Sequence, residues 1–301
     1  GLTFLETAAN PYVTILGPAE SATKRLNFSQ SFNGLAAFIA PAYIGPMILS
    51  DKNYTQTQIE AMAPALRHTY LVSEAESVKM PYLILGLIIL VVAVIFYFTN
   101  MPDVKDEDKE GEEGASFVGA LKSMRLRWGI LAQFFYVGAQ VCVGSFFIKM
   151  ATTSAGIDED SAAKYLGFFG LAFMLGRFFG TFLMQYINPR KLLIIYTIIN
   201  IALTVVAIIT SGMTVVYSLI AIAFFMSIMF PTIFSIGIDG LGHNTKIGSS
   251  LIVMSIVGGA FLPPILGVIS DQTASIQNGY FVPLVCFLVI LVFAFNVHKT
   301  D

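Results

Sequence analysis

Long apolar stretches recur from one end of the chain to the other, and short polar segments separate them. Each stretch is continuously apolar and approaches the roughly 20 residues that an α-helix needs to cross a bilayer. Strands of a membrane barrel would instead alternate apolar and polar positions over about 10 residues. The pattern therefore predicts nine membrane-spanning helices, at residues 1–17, 30–50, 80–99, 128–152, 161–186, 190–210, 213–237, 247–270 and 280–298.

Composition agrees with this pattern, because the chain has 56% hydrophobic and only 12% charged residues, whereas a soluble domain carries roughly 25% charged residues. Both cysteines, Cys142 and Cys286, fall inside predicted spans and lack the spacing of metal ligands. The sequence contains no phosphate-binding loop, zinc-binding helix motif or nucleophile elbow. We therefore expect an all-α membrane protein that is not an enzyme and needs no cofactor, metal or nucleic-acid partner.

Lysine and arginine concentrate in the loops that follow the first, third, fifth and seventh predicted spans, and at the C-terminus. Because positively charged loops face the cytoplasm, this bias predicts a cytoplasmic C-terminus and an outer position for residue 1. The acidic segment at residues 101–117 is almost free of large apolar groups, which predicts a flexible cytoplasmic linker. The other long loop, residues 51–79, is then external and forms either a spacer or a lid.

An internal repeat indicates how the helices are grouped. Residues 11–17 (PYVTILG) resemble residues 231–237 (PTIFSIG), and each copy is followed by a loop with a Thr-Lys pair. The copies lie six predicted helices apart, and parallel six-helix repeats are typical of major facilitator transporters. The repeat predicts that residues 128–301 form a complete C-terminal six-helix half, and that residues 1–100 form the last three helices of an N-terminal half. Residues 101–127 link the halves, and three further helices are expected before residue 1.

The first predicted span carries a carboxyl group. Glu6 and Asn10 share one helix face at i,i+4 spacing, and Pro11 loosens the helix beside them. Ionisable groups inside a membrane are costly and normally face a bundle interior or an aqueous cavity. Because burial favours the neutral carboxyl, Glu6 is a candidate proton carrier beside a polar substrate. There are two alternatives: Glu6 is neutral and only joins helices, or it lies in interfacial water near a helix end.

Two further polar stripes are candidate substrate contacts. Gln30 and Asn33 share a face at the start of the second span, where helix–helix hydrogen bonding is an equally good explanation. Gln133, Tyr136 and Gln140 follow i, i+3, i+7 along the fourth span. Amide and phenol groups can bind sugar hydroxyls, and aromatic rings can cover the C–H faces of a sugar. We interpret this second stripe as a substrate-binding surface.

The remaining polar residues in or near spans have simpler explanations. Asn200 stands alone in its span and is interpreted as a packing contact between helices. Arg177 is expected near the cytoplasmic end of the fifth span, where it braces a gate or an interhelix contact. Asp239 and His243 border a loop and are expected in solvent.

Several motifs resemble one known family of membrane proteins. The chain contains LETAANPYVTILGP, LNFSQSFN, LAQFFYVGAQ, FPTIFSIGI and TKIGSSLIVMSIVGGA. These resemble the L-fucose:proton symporter and glucose/galactose transporter family of the major facilitator superfamily, along essentially the whole chain. The resemblance implies a sugar/proton symporter of the bacterial inner membrane that works by alternating access.

The resemblance also implies roles for individual residues. Glu6 is implicated in sugar binding and coupling, and Gln30 and Asn33 lie at or near the sugar. The family's proton-carrying aspartate belongs to a first helix that this sequence does not contain. Phe230 and Gly144 stand where the fucose permease has a tyrosine and a tryptophan, which leaves glucose, galactose or a related hexose open as substrate.

The resulting hypothesis is a monomeric, proton-coupled monosaccharide symporter in the lipid bilayer. Its substrate-binding residues are predicted to be Glu6, Asn10, Gln30, Asn33, Gln133, Tyr136 and Gln140, and Glu6 is predicted to couple protons. The alternatives are a membrane sugar sensor that binds without transport, and a symporter coupled to sodium, since one carboxylate can serve either ion.

Overall fold

The computed structural model describes residues 2–39, 59, 61–100 and 116–296, and its elements within these ranges are all helical. The helices are α1 (Leu2–Ile15), α2 (Ala22–Ile39), α3 (Pro64–Ser77), α4 (Lys79–Phe98), α5 (Phe117–Lys122), α6 (Met124–Ser145), α7 (Phe147–Ala155), α8 (Glu159–Leu183), α9 (Pro189–Ile209), α10 (Met213–Met226), α11 (Met229–Ile238), α12 (Thr245–Met254), α13 (Gly258–Thr273), α14 (Ile276–Gly279) and α15 (Phe281–Asn296). Short 3-10 turns lie at Ala19–Ser21, Gly242–Asn244 and Ser255–Val257. The expectation of an all-α membrane protein is confirmed.

Seven helical segments within the described ranges are long and apolar enough to cross a membrane. They are Lys79–Phe98, Met124–Ser145, Glu159–Leu183, Pro189–Ile209, Met213–Ile238, Gly242–Thr273 and Ile276–Asn296. Each overlaps one of the nine predicted spans. The first predicted span forms α1, which has 14 residues, and the second overlaps the end of α2. Residues 40–50 of that second span, the linker at 101–115 and most of the loop at 51–60 lie outside the described residues.

Helix α2 begins at Ala22, whereas the hydropathy pattern placed its start at residue 30. The polar sequence of its first two turns is typical of a loop. In the structure, Leu26 and Asn27 in these turns are fully buried, and Leu26 packs in an apolar cluster with Phe234 of α11. Tertiary packing therefore continues the helix through a segment that is too polar to be recognised from hydropathy.

Three of the long spans are interrupted. The span predicted at 128–152 divides into α6 and α7 at Phe146, and the span predicted at 213–237 divides into α10 and α11 at Ser227 and Ile228. The span predicted at 247–270 divides into α12 and α13 at the 3-10 turn Ser255–Val257. The second break has a local cause. Pro231 has no backbone N–H, so the carbonyl of Ser227 loses its i+4 helical donor. That carbonyl must find another partner inside the bundle.

The chain divides into two compact units, Gly1–Leu35 with Lys105–Asp301, and Ala36–Val104. The first unit groups α1 and most of α2 with the C-terminal helices. Helix α1 packs against α12, and α2 is hydrogen-bonded to α8 and α11. The predicted division into six-helix halves concerns the order of repeats and stays a prediction. In the second unit, α3 contacts α4, and nearly every described side chain of α4 is exposed. An exposed, continuously apolar helix is suited to contact with lipid.

Glycines allow the C-terminal helices to approach one another closely. A Cβ atom on Gly176 of α8 would lie 2.2 Å from the carbonyl oxygen of Phe224 on α10. A Cβ atom on Gly258 at the start of α13 would lie 2.0 Å from the carbonyl oxygen of Phe134 on α6. Small residues at such crossings let helix backbones touch, which is the usual source of packing energy in membranes.

Outside the spans, Asp158 caps the N-terminus of α8. Its carboxylate accepts hydrogen bonds from the backbone N–H and the hydroxyl of Ser161, both at 2.8 Å. These bonds stabilise the ionised form and keep the pKa of Asp158 below its usual value. The cap satisfies one of the backbone donors that a helix start leaves open.

Candidate functional site

The first two helices bring four of the predicted site residues into one polar cluster. The Gln30 side-chain Nε2 donates to Asn10 Oδ1 at 2.9 Å, and Asn33 Nδ2 donates to Gln30 Oε1 at 3.3 Å. Glu6 lies one helical turn before Asn10 on α1 and is half-buried. We refer to Glu6, Asn10, Gln30 and Asn33 as the amide cluster. Sequence spacing predicted each pair on its own helix, and the structure adds the contact between the two helices.

The amide cluster keeps unused hydrogen-bonding capacity. Asn10 is only 4% exposed, and its Nδ2 atom has no hydrogen-bond partner among the described residues. Asn33 is exposed at the other end of the cluster. An amide can make up to four hydrogen bonds, and a buried amide donor without a partner is costly. The cluster can therefore accept a further polar molecule or side chain at Asn10.

The second predicted stripe lies inside the C-terminal bundle. Gln133 and Tyr136 are completely buried on α6, and Gln140 is half-buried. Neither the Nε2 nor the Oε1 atom of Gln133 has a hydrogen-bond partner among the described residues. None of the three side chains is exposed, so the stripe does not form an outer surface of the described helices.

The Tyr136 hydroxyl makes a hydrogen bond inside the bundle, and its predicted contact with sugar stays a prediction. The hydroxyl donates to the carbonyl oxygen of Met226 at 3.1 Å. The Tyr136 and Phe230 rings lie 6.3 Å apart between centroids. The phenol therefore occupies the break between α10 and α11, where interrupted helix carbonyls need donors. This hydrogen bond joins α6 to α10. The position of Tyr136 along α6 does not indicate which residue its hydroxyl contacts.

Arg177 on α8 makes the interhelix contact that its position suggested. It is 3% exposed, and its Nε donates to the Ser227 carbonyl at 2.8 Å. Its Nη1 donates to the Gln30 carbonyl at 2.7 Å, and its guanidinium carbon lies 4.7 Å from the centre of the Phe173 ring. The arginine thus supplies the donor that Pro231 cannot give to Ser227, and it reaches from the C-terminal bundle to the amide cluster.

Two hydrogen bonds that sequence reasoning missed continue this contact along α2. Asn27 Nδ2 donates to Thr232 Oγ1 at 3.1 Å, and the hydroxyls of Thr23 and Ser235 lie 2.9 Å apart. Thr23, Asn27 and Gln30 are spaced i, i+4, i+7, so a polar stripe on α2 was the available signal. We call the contacts of these three residues with α8 and α11 the α2 seam.

A half-open cavity of about 480 Å³ lies where the seam ends. Thr23 and Ser235 are among its lining residues, together with Thr14 of α1, Arg190 of α9 and the segment from Asp239 to Gly242. The predicted substrate-binding residues do not line this cavity. The seam therefore stands between the cavity and the amide cluster.

Comparison with known proteins places these observations in a family. Residues 1–262 match the model of the Major Facilitator Superfamily. The chain is 39% identical over 300 residues to the L-fucose-proton symporter of Escherichia coli (strain K12), covering 98% of this chain and 68% of the relative. It is 37% identical over 295 residues to the glucose/galactose transporter of Brucella abortus biovar 1 (strain 9-941), covering 96% of this chain and 67% of the relative.

The fold comparison agrees with the sequence comparison. A crystal structure of the major facilitator transporter FucP in the outward conformation matches with a TM-score of 0.89 at 38% identity. The match covers 97% of this chain and 72% of that one. The protein is a multi-pass membrane protein of a transporter superfamily. The chain belongs to the L-fucose:proton symporter and glucose/galactose transporter family of the Major Facilitator Superfamily.

Proposed function

We propose that the protein is a proton-coupled monosaccharide symporter of the bacterial inner membrane, with a cytoplasmic C-terminus and an alternating-access mechanism. The observation that carries the proposal is the amide cluster. Its three amides are joined by hydrogen bonds between α1 and α2, and Glu6 lies one helical turn before Asn10 on α1. The printed names of the relatives, an L-fucose-proton symporter and a glucose/galactose transporter, support the same substrate class.

The chemistry of the amide cluster suits a sugar. Each amide offers both donors and acceptors, and adjacent sugar hydroxyls need both. The unpartnered Nδ2 of Asn10 and the exposed Asn33 amide give two points at which hydroxyl oxygens can bind. Because these groups are set by hydrogen bonds to Gln30, little ordering is left to occur when the sugar binds.

Glu6 supplies the coupling in this proposal. A carboxyl group inside the membrane is more stable when it is neutral or paired, so its proton and the polar substrate can stabilise each other's binding. Alternating access then exposes the loaded site to one side and afterwards to the other. Release of the sugar and the proton to the cytoplasm completes the cycle.

The C-terminal bundle contributes the opposite wall in our proposal. Gln133 has two buried polar atoms without a partner, and such groups in a native structure call for an explanation. A conformational state in which α6 turns toward substrate would supply that partner. Gln140 extends the same helix face, and Tyr136 holds the helices around it.

Uptake into cells or proteoliposomes that contain the full-length protein tests the function. We expect accumulation of one monosaccharide from a panel of glucose, galactose and L-fucose when a proton gradient is imposed, and its loss with a protonophore. Glu6→Gln is expected to abolish accumulation and to retain exchange down the sugar's own gradient. Glu20→Gln, at an exposed carboxylate in the turn after α1, is the matched control and keeps accumulation.

Three results would contradict the proposal in different ways. Full accumulation by Glu6→Gln at normal expression would remove Glu6 from coupling. Accumulation that follows a sodium gradient and resists the protonophore would favour the sodium-coupled alternative. Saturable binding without uptake would favour a sensor.

A further inference from the structure

Arg177 has a set of contacts that its charge alone does not explain. A cation at the centre of a membrane helix costs roughly 2.5–3.5 kcal/mol on insertion scales. Buried charges are normally paired with an opposite charge. Arg177 is 3% exposed, yet its described partners are two backbone carbonyls and the Phe173 ring. Neutral acceptors hold the side chain in place. They are the Gln30 carbonyl on α2, the Ser227 carbonyl in the break between α10 and α11, and the Phe173 ring on α8 itself.

The first acceptor explains how the guanidinium is fixed. Ser227 is the first residue of the break between α10 and α11, and Pro231 leaves its carbonyl without a helical donor. Arg177 Nε fills this position at 2.8 Å. The Ser227 hydroxyl turns back to the Phe224 carbonyl, so the backbone oxygen is free for the arginine. One edge of the planar guanidinium is therefore anchored within the C-terminal bundle.

The second acceptor lies in the amide cluster. Arg177 Nη1 donates to the carbonyl of Gln30 at 2.7 Å, while the Gln30 side chain makes the hydrogen bonds to Asn10 and Asn33. The arginine thus holds the backbone of the residue whose amide organises the cluster. Gly34, one turn further along α2, also lies against α8, since its Cβ position is 3.4 Å from the Met174 Cα.

We propose that Arg177 is a positioning residue of the sugar site, which sets the Gln30 amide through the Gln30 backbone carbonyl. It links the helix break of one bundle to the polar cluster on α1 and α2. This inference rests on the proposed function, because it names a residue that tunes the same site without touching the substrate.

A double-mutant cycle distinguishes a residue that positions the Gln30 amide from one that only holds the helices together. Arg177→Lys keeps a positive charge and loses the planar fork that reaches two acceptors at once. Gln30→Ala removes the side-chain amide and keeps the carbonyl that Arg177 contacts. If Arg177 acts through the Gln30 amide, the effect of Arg177→Lys on sugar affinity should disappear once that amide is gone.

The experiment compares four full-length proteins: the wild type, Arg177→Lys, Gln30→Ala and the double variant. For each one, the uptake kinetics and the thermal unfolding in the absence of sugar would be measured. Arg177→Lys is expected to raise KM about tenfold with less than a threefold change in kcat, and to change KM less than twofold in the Gln30→Ala background. Arg177→Gln, a neutral side chain, is expected to raise KM at least as much. The matched control is Arg25→Lys, because Arg25 also donates to backbone carbonyls, those of Val13, Thr14 and Pro18, away from Gln30. It should leave KM unchanged.

Equal increases in KM in both backgrounds would overturn the inference, as would a lower unfolding temperature with an unchanged KM. The unfolding temperatures of the same four proteins measure the coupling between Arg177 and Gln30 in the absence of sugar. Strictly additive unfolding shifts contradict the inference even if no sugar is transported. Absence of uptake by the wild type contradicts the proposed function, while coupled unfolding shifts would still support the link.

Discussion

Two kinds of helix contact occur in this protein, and they differ in what a small change would do to them. Inside the C-terminal bundle, glycines bring backbones together so closely that a methyl group has no room, as at Gly176 and Gly258. Along the α2 seam, contact is made by single hydrogen bonds of polar side chains, two of them to other side chains and one to the Gln30 carbonyl. At Gly34 a methyl group would meet the Met174 backbone at an ordinary 3.4 Å.

The difference suits the two contacts to different tasks. A close-packed glycine crossing gains dispersion contacts over many atoms and has one good geometry. A hydrogen bond between polar side chains can be replaced by one to water when an aqueous path opens, so separating the helices costs less. We infer that the bundle crossings stay closed through the transport cycle and that the α2 seam opens. Four predictions test this contrast.

The largest effect is expected from Gly176→Ala. The added Cβ would lie 2.2 Å from the Phe224 carbonyl oxygen, so α8 and α10 must separate. Overpacking of this kind costs about 1–3 kcal/mol or more, and we expect a large fall in unfolding temperature and in yield. Gly167→Ala on the same helix is the control, because its Cβ would meet nothing within 4 Å. It should be neutral or stabilising by about 0.5–1 kcal/mol.

Gly34→Leu tests whether the seam must close for transport. A leucine there would push against Met174 and the Arg177 side chain, whose Cδ lies 3.8 Å from the Cβ position. We expect a protein that folds with a loss of about 1 kcal/mol but whose uptake rate falls about tenfold. Gly34→Ala should fold and transport normally. Full transport by Gly34→Leu would show that the seam does not need close contact.

Thr232→Val removes one hydrogen bond of the seam at nearly constant shape. Hydrogen bonds between membrane helices are worth about 0.6 kcal/mol on average, so the closed seam should be weakened by that amount. We expect sugar exchange, measured by counterflow, to become about two- to threefold faster if seam opening limits it. Thr204→Val is the control, because Thr204 is equally buried and its hydroxyl bonds only to the Asn200 carbonyl on its own helix. A slower exchange in Thr232→Val would contradict the idea that this bond resists opening.

The smallest effect is expected from Asp239→Asn, at the rim of the C-terminal bundle. Asp239 is half exposed, in agreement with the expectation that it lies in solvent. Its Oδ2 atom also lies 3.1 Å from Arg125 Nη1 and 3.8 Å from Arg190 Nη2. Exposed ion pairs contribute about 0–1 kcal/mol. We expect a small loss of stability that vanishes in high salt, measured by thermal unfolding at two ionic strengths. A loss that persists in salt would show that the rim contacts resemble the buried crossings.

The site could be predicted from sequence one helix at a time. The i,i+4 spacing of Glu6 and Asn10 and the i,i+3 spacing of Gln30 and Asn33 identified two polar faces, because side chains at these spacings always share a helix face. The hydrogen bond between Asn10 and Gln30 depends on how α1 and α2 pack. No local pattern contains that information.

Tyr136 shows that the face of a helix on which a residue lies does not identify its hydrogen-bond partner. The position of Tyr136 in the stripe with Gln133 and Gln140 predicts that its hydroxyl contacts the substrate, and this stays a prediction. In the structure the hydroxyl is bonded to the carbonyl of Met226, the last residue of α10 before the break. The proline marks such a break in the sequence, but which side chain supplies the missing donor depends on the neighbouring helix.

The sequence by itself determined the all-helical membrane fold, seven of the spans and the face on which each polar residue lies. These follow from the length of apolar runs and from helical periodicity, which are local properties of the chain. Only the tertiary structure decided that α2 begins at Ala22, that Thr23 and Asn27 bond to α11, and that Arg177 reaches Gln30. These features depend on contacts between residues more than one hundred positions apart, and the free energy that fixes them comes from close packing and from satisfying buried polar groups.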